Sequence, residues 1–202
     1  DNAKGKEVTK ALWETVADKR VMADADDSKM AAGLSDGSVV AAVSGVWNRT
    51  AFERYLGNDF AVAKLPTYTL SRGKTGEKQV QLVSFAGYKM IGVNQYSPRK
   101  AEAMEFADYL TSKEAQIKRF ERRGFVPTNL QAQEDERLKE DVVAKAITEQ
   151  LKHSKTQKDV PSTLWTPMQG LGNAMITAAT TGSAFNLETE LTAYVNAIKK
   201  NA

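Results

Sequence analysis

Apolar positions fall into blocks whose spacing separates helices from extended segments. From Val8 to Val16 the apolar side chains Val8, Ala11, Leu12 and Val16 recur, with Thr15, at helical intervals, and Lys and Glu take the opposite face. That predicts a first helix, with Asp1 or Asn2 as its cap and Trp13 packed at the edge of the apolar stripe. A polar turn at 23–28 can cap a short helix over 29–34, and Asp36-Gly37 closes it. Val39 to Val43 is apolar without polar alternation, the pattern of a strand covered on both faces. It runs out at Ser44-Gly45, where a missing side chain lets the backbone turn or approach another group closely. Trp47 follows, at the carboxyl end of the expected strand. In open α/β sheets ligands gather there, so this indole reads either as a binding platform or as a cap on the core.

The pattern continues with a short helix over 49–56 (Phe52, Tyr55 and Leu56 inward) and a strand over 60–65 ended by Pro66. A loop is expected over 67–78. A long apolar element follows over 79–93, well beyond the usual strand of about 5–6 residues and interrupted by Gly87. Ser97-Pro98 predicts a helix start with Pro at its first position. Thr111-Ser112-Lys113-Glu114 resembles a capping box opening a further helix, which Gly124 ends. Phe125 to Thr128 is extended by the restriction that Pro127 places on its neighbour. An amphipathic helix is expected over 134–151, a polar linker over 152–159, and a helix of small residues over 171–179. Asn186 caps the last helix, with Leu187, Leu191, Tyr194, Val195 and Ile198 inward.

Composition narrows the chemistry. The 202 residues are 42% hydrophobic and 26% charged, an ordinary globular balance with a net charge of +3. Basic and acidic residues interleave, so no nucleic-acid stripe stands out. No apolar run approaches the ~20 residues of a membrane helix. Without cysteine there are no disulfides, thiol nucleophiles or Cys-ligated metals. The single histidine, His153, sits in a Lys-rich stretch that reads as solvent-exposed, which argues against a triad or a His-based metal site. The Asp-rich turn before Lys29 lacks the central Gly and terminal Glu of a calcium loop. Neither Gly-containing loop has the strand–loop–helix setting of a phosphate cradle. Neither a cofactor nor a metal is expected.

The order of Asp1-Asn2-Ala3, Gly45-Val46-Trp47, Leu65-Pro66-Thr67-Tyr68, Ala86-Gly87, Ser97-Pro98 through Glu114, Gly124 to Thr128 and Leu164-Trp165 spans nearly the whole chain. Together these resemble the C-terminal half of carbohydrate-binding proteins of ABC importers, the maltose-binding type. The resemblance implies an α/β, two-lobed periplasmic-binding-protein-like (type II) fold, of which this chain is the C-terminal portion. Residues 1–78 would form part of the C-terminal lobe. Residues 79–125 would be the crossing strand and helices that pack on the N-terminal lobe, and 126–202 would return to the C-terminal lobe.

By the same resemblance Trp47 and Trp165 lie where maltose binders set aromatic rings against sugar faces, and are expected on one wall of a saccharide groove. Gln169, one helical turn beyond Trp165, replaces an Arg, and Asp27 replaces a Tyr, which puts maltose itself in doubt. Ser84, Phe85, Gly87 and Tyr88 lie on the crossing segment, as ligand contacts or as hinge packing. Arg123 either reaches the cleft or sits at a helix C-terminus, where its charge is favourable. The implied function is extracytoplasmic sugar or oligosaccharide binding and delivery to ABC permease subunits, in the periplasm or lipid-anchored at the cell surface, without enzymatic chemistry. The competing readings are a carbohydrate-active enzyme fragment, which needs two carboxylates facing a cleft, and a ligand-sensing interaction module. The missing N-terminal half, or self-association, is expected to cover an apolar patch that includes Leu82, Val83, Ile91, Met104, Phe106 and Leu110.

Overall fold

The computed structural model describes residues 3–24, 26–157 and 160–201. The chain divides into two compact units. Unit 1 comprises residues 1–41, 66–82 and 157–202, and unit 2 comprises residues 42–65 and 83–156. The chain passes from one unit to the other at 41–42, 65–66, 82–83 and 156–157.

Unit 1 is built from helices α1 (Ala3–Val16), α2 (Asp27–Asp36), α9 (Trp165–Thr181) and α10 (Leu187–Asn201), with the strands β1 (Thr67–Leu70) and β2 (Lys78–Gln81). The strands form an antiparallel hairpin in which Tyr68 faces Val80 and Leu70 faces Lys78. The hairpin replaces the loop expected over 67–78. Alternation there is blurred by Thr and Lys, and the pairing partner, not the local pattern, defines the strand. α1 packs against α10, α9 and β1. Met175, Leu34, Leu70, Ala178 and Leu191 are buried. Trp13 packs as expected, stacked on Phe185 with ring centroids 4.6 Å apart. The α1 stripe is narrower than its spacing suggests: Ala11 and Thr9 are buried, while Val8 and Leu12 are exposed.

Capping is local chemistry and follows the sequence closely. Asp26 caps α2 by accepting the Ser28 N–H at 2.8 Å, and Asn186 caps α10 by accepting from the Thr189 N–H at 3.0 Å. The expected cap of α1, at residues 1 and 2, lies outside the described residues. α9 begins at Trp165, earlier than the 171 expected, because Pro167 falls in its first turn, where a missing N–H costs nothing.

Unit 2 contains a one-turn 3₁₀ segment Val46–Asn48, α3 (Arg49–Leu56), β3 (Ser84–Ala86), α4 (Lys100–Thr111), α5 (Lys113–Arg123), α6 (Leu130–Gln133), α7 (Glu136–Glu140), α8 (Val142–Leu151) and β4 (Ser154–Thr156). β3 and β4 pair in parallel, so part of the expected linker is a strand. Ser84 Oγ and Ser154 Oγ hydrogen-bond at 2.8 Å within that pair. The core gathers Ile117, Phe120, Ala132, Leu138 and Ala144, with Val126 against it. Buried Gln116 serves the extended segment after α5, its Oε1 accepting the N–H groups of Thr128 at 2.7 Å and Asn129 at 3.0 Å. Ser112 caps α5 through the Ala115 N–H, and Gly124 ends it in the left-handed region at φ 66°.

Three expected elements change. The helix over 134–151 is two helices, because Asp141 is extended and caps α8 by accepting the Ala144 N–H at 2.8 Å. The strand over 39–43 does not form. Val40 is 95% exposed, and the Val39 N–H donates to the Gly33 carbonyl at the end of α2. The strand over 60–65 is likewise an extended tether, its Leu65 N–H donating to Gln150 Oε1 at 3.0 Å. A strand exists only through a neighbour's ladder of hydrogen bonds, and the described residues give these segments none. The long element over 79–93 shortens for the same reason to β2 and β3, which belong to different units. α4 begins at Lys100, two residues after Pro98, and buries none of its side chains.

Candidate functional site

Trp47 stands at the centre of the 3₁₀ turn in unit 2 and is 69% exposed. The turn is clipped by local hydrogen bonds. The Asn48 N–H donates to the Gly45 carbonyl at 3.2 Å, and Asn48 Nδ2 donates to Ser44 Oγ at 2.9 Å. The indole lies against the backbone of Gly45: a Cβ there would come within 2.1 Å of ring atom Cζ3 and 2.2 Å of Cη2. The close approach read from Gly45 in the sequence is therefore made by Trp47, two residues further on. Trp47 is thus not buried among the described residues of unit 2.

Arg49, the first residue of α3, fastens this turn to the rest of unit 2. Its guanidinium donates to Asp141 through Nη2 at 2.6 Å and Nη1 at 3.0 Å, and its Nε donates to Glu53 at 2.8 Å. It lies over the Phe120 ring, 5.9 Å from the centroid. Burial works against the charge, but the hydrogen bonds to Asp141 and Glu53 outweigh it and hold the guanidinium pKa above its ordinary value. Sequence reasoning gave Arg49 no role. Its principal partner is 92 residues away, and no local signal announces that pairing.

The other expected ligand residues of unit 2 follow from β3 onward. Phe85 lies on β3 opposite Lys155 and is 45% exposed. Gly87 and Tyr88 continue in irregular, exposed chain, and Ser84 is engaged with Ser154 inside the strand pair. Arg123 is exposed in the last turn of α5. His153 is half-buried rather than exposed, its backbone N–H donating to the Gln150 carbonyl at 2.8 Å.

In unit 1, Trp165 is the first residue of α9 and Gln169 follows one turn later on the same face. Trp165 is 39% exposed, and Met168 beside it is also exposed. The Met was not singled out from sequence, where it reads as ordinary helix filling. Asp27 is exposed in the first turn of α2, where a negative charge is favourable. Trp165 and Gln169 are thus brought together, while Asp27 stands on a separate helix.

The surrounding charges are mutually engaged. Asp18 is held below the usual carboxylate range by hydrogen bonds from Arg20. Asp135 is lowered to about 2, chiefly by the side-chain hydrogen bond from Arg137 and then by its backbone N–H. A surface depression in unit 2 is lined by such residues (Lys113, Glu114, Lys118, Glu121, Asp135 and Arg137, with Ile117) and by none of the expected ligand residues. Among the described residues no group of three or more His, Asp or Glu side chains is placed to hold a metal ion. Among the described residues no helix is long and apolar enough to cross a membrane.

Residues 1–146 match the family of bacterial extracellular solute-binding proteins, and the chain belongs to that family. It is 30% identical over 149 residues to a galactooligosaccharide-binding protein of Bacillus subtilis (strain 168), a match that covers 73% of this chain and 32% of that protein. Among solved structures it is similar to a maltodextrin-binding protein of L. casei BL23 without ligand, at a TM-score of 0.74 and 26% identity over 98% of this chain and 52% of that one. A chain solved with acarbose matches at a TM-score of 0.83 and 26% identity, over 100% of this chain and 53% of that one. The chain thus spans about half the length of these solved relatives and about a third of the curated one. The fold is the type II sugar-binding architecture in its C-terminal portion, and the family is one of solute-binding proteins, not of enzymes.

Proposed function

We propose that this chain is the C-terminal half of an oligosaccharide-binding protein that delivers its ligand to the permease subunits of an ABC importer. The single observation that carries the reading is Trp47: an indole 69% exposed, on a turn held by its own hydrogen bonds. Exposing that much apolar ring has a cost in water, and a flat C–H-rich sugar face offsets it on binding. Trp165 offers a second ring, with Gln169 one turn away able to donate to and accept from hydroxyls. Phe85 and Tyr88 are exposed and suited to further contacts. Asp27 and Arg123 are proposed as polar contacts that select among hydroxyl patterns.

The ligand class rests on the relatives, whose names and bound molecules are galactooligosaccharide, maltodextrin and acarbose. A short α-glucan or galactooligosaccharide is the proposed ligand of this chain. Its proposed location is the extracytoplasmic side, in the periplasm or on a lipid anchor of the longer protein. The exposed Val83, Ile91, Met104 and Phe106 of unit 2 suit burial by the other half of the fold or by a second copy.

The test is titration calorimetry of the chain, and of the chain joined to its N-terminal half, with maltopentaose and galactotetraose. Binding of either that Trp47→Ala weakens at least tenfold supports the reading. Parent-like binding by Trp47→Ala, or no binding by either preparation, sinks it.

A further inference from the structure

A platform ring is useful to a ligand in proportion to how firmly it is already oriented. Trp47 has only two side-chain torsions, and fixing them before the ligand arrives removes an entropic cost from binding. What fixes them is visible in Gly45. The six-membered part of the indole rests on this residue: a Cβ there would meet Cζ3 at 2.1 Å, Cη2 at 2.2 Å and Cε3 at 2.5 Å. No side chain fits beneath the ring. The backbone of Gly45 is itself ordinary, with φ −105° and ψ 169°, a conformation any residue adopts. Glycine is therefore not required by the turn. It is required by the ring.

From this we propose that Gly45 is the positioning residue of the Trp47 platform, an assignment that rests on Trp47 being a ligand contact. One face of the indole is seated on the Gly45 backbone, which leaves the opposite face for a sugar. The turn supports the seat from both sides. Ser44 Oγ accepts from Asn48 Nδ2 at 2.9 Å, and the Gly45 carbonyl accepts the Asn48 N–H at 3.2 Å. Arg49 follows at once and is tied to Asp141 and Glu53, so the seat does not drift with the start of α3. A methyl group at position 45 leaves the backbone and the buried core untouched and evicts only the ring.

The experiment uses Gly45→Ala, read in three ways. In the parent chain, proton NMR is expected to show a Gly45 Hα shifted upfield by the ring current of the indole, and Trp47→Leu is expected to abolish that shift. In Gly45→Ala, affinity for maltopentaose or galactotetraose is expected to fall about three- to tenfold, the range set by immobilising one side chain. The thermal midpoint is expected to stay at the parent value, which a general structural role for Gly45 would lower. Gly45→Ala binding like the parent, while Trp47→Ala is impaired, overturns the positioning role and leaves the ligand reading standing. Trp47→Ala binding like the parent overturns both. An unshifted Gly45 Hα overturns the seating geometry whatever the binding result.

Discussion

Arg49 and Asp141 meet through two parallel hydrogen bonds, at 2.6 and 3.0 Å, across 92 positions of sequence. Asp141 has two functions at once: it pairs with the guanidinium and caps α8 through the Ala144 N–H. Both side chains are largely withdrawn from water, at 14% and 9% exposure. Truncating one partner of such a pair strands the other charge, at a cost of about 3–5 kcal/mol when the site is buried. Arg49→Ala is therefore expected to destabilise unit 2 by about 3 kcal/mol. Asp141→Asn keeps a good cap and loses only the charge, so it is expected to cost less than Asp141→Ala. Urea unfolding followed by circular dichroism ranks the three, and equal losses for both Asp141 variants would refute the dual role.

Gly124 supplies the next test. It sits at φ 66°, and a Cβ there would fall 2.4 Å from Cδ of Arg49. Gly124→Ala combines left-handed strain of about 1 kcal/mol with displacement of the Arg49 side chain. In an Arg49→Ala background the clash is gone and only the strain remains. A double-mutant cycle by denaturation is expected to show the Gly124→Ala penalty shrinking in that background.

Trp165 and Gln169 share one face of α9 and are both proposed ligand contacts. Trp165→Ala is expected to weaken oligosaccharide binding by at least about 1 kcal/mol, the scale of an aromatic contact. Gln169→Ala is expected to lose about 0.5–1.5 kcal/mol, one neutral hydrogen bond. Calorimetric titration checks both, and unchanged affinity in the two variants would remove α9 from the proposed ligand contacts.

Acid sensitivity follows from Asp135. Arg137 lowers its carboxyl to about 2 in the folded protein, below the ~3.9 of an unfolded Asp. The folded state therefore binds this proton less readily than the unfolded state. The associated stability is present above about pH 4 and is lost as the pH falls towards 2. Carboxyl ¹³C NMR titration is expected to place the Asp135 midpoint near 2 in the parent and nearer the ordinary value in Arg137→Ala. An identical midpoint in both proteins would show that Arg137 is not the cause.

Unit 2 presents Val83, Ile91, Met104 and Phe106 to solvent, and α4 buries none of its side chains. The isolated chain is expected to self-associate or to bind the complementary half of the fold. Size-exclusion with light scattering should give a mass above 22.2 kDa, and Phe106→Glu should return it towards the monomer. A parent chain that stays monomeric at high concentration and ignores the complementary half would exclude both.

Legibility in the sequence tracked the reach of each interaction. Gly124 and Asn186 mark helix ends through bonds spanning a few residues, and both are where the pattern placed them, whereas α5 is capped by Ser112, one residue after the Thr111 that opens the capping-box pattern. Val39–Val43 and Phe60–Leu65 carry strand-like composition without strands, because pairing depends on a neighbour that local pattern does not supply. Asp141 was hidden for a related reason: apolar spacing continues past it from Leu138 to Val142, so the break in the helix shows only in the cap. The resemblance singled out Trp47 and Trp165, whereas the guanidinium anchoring the first of them has its principal partner 92 residues away.

The contact between α1 and α10 bears on biosynthesis. Lys6 in α1 meets Glu188 in α10 at 2.8 Å, so α1 finds this mate only after every segment between them has been synthesised. Unit 1 therefore closes only once α10 is available to α1, whatever the order in which its other segments fold.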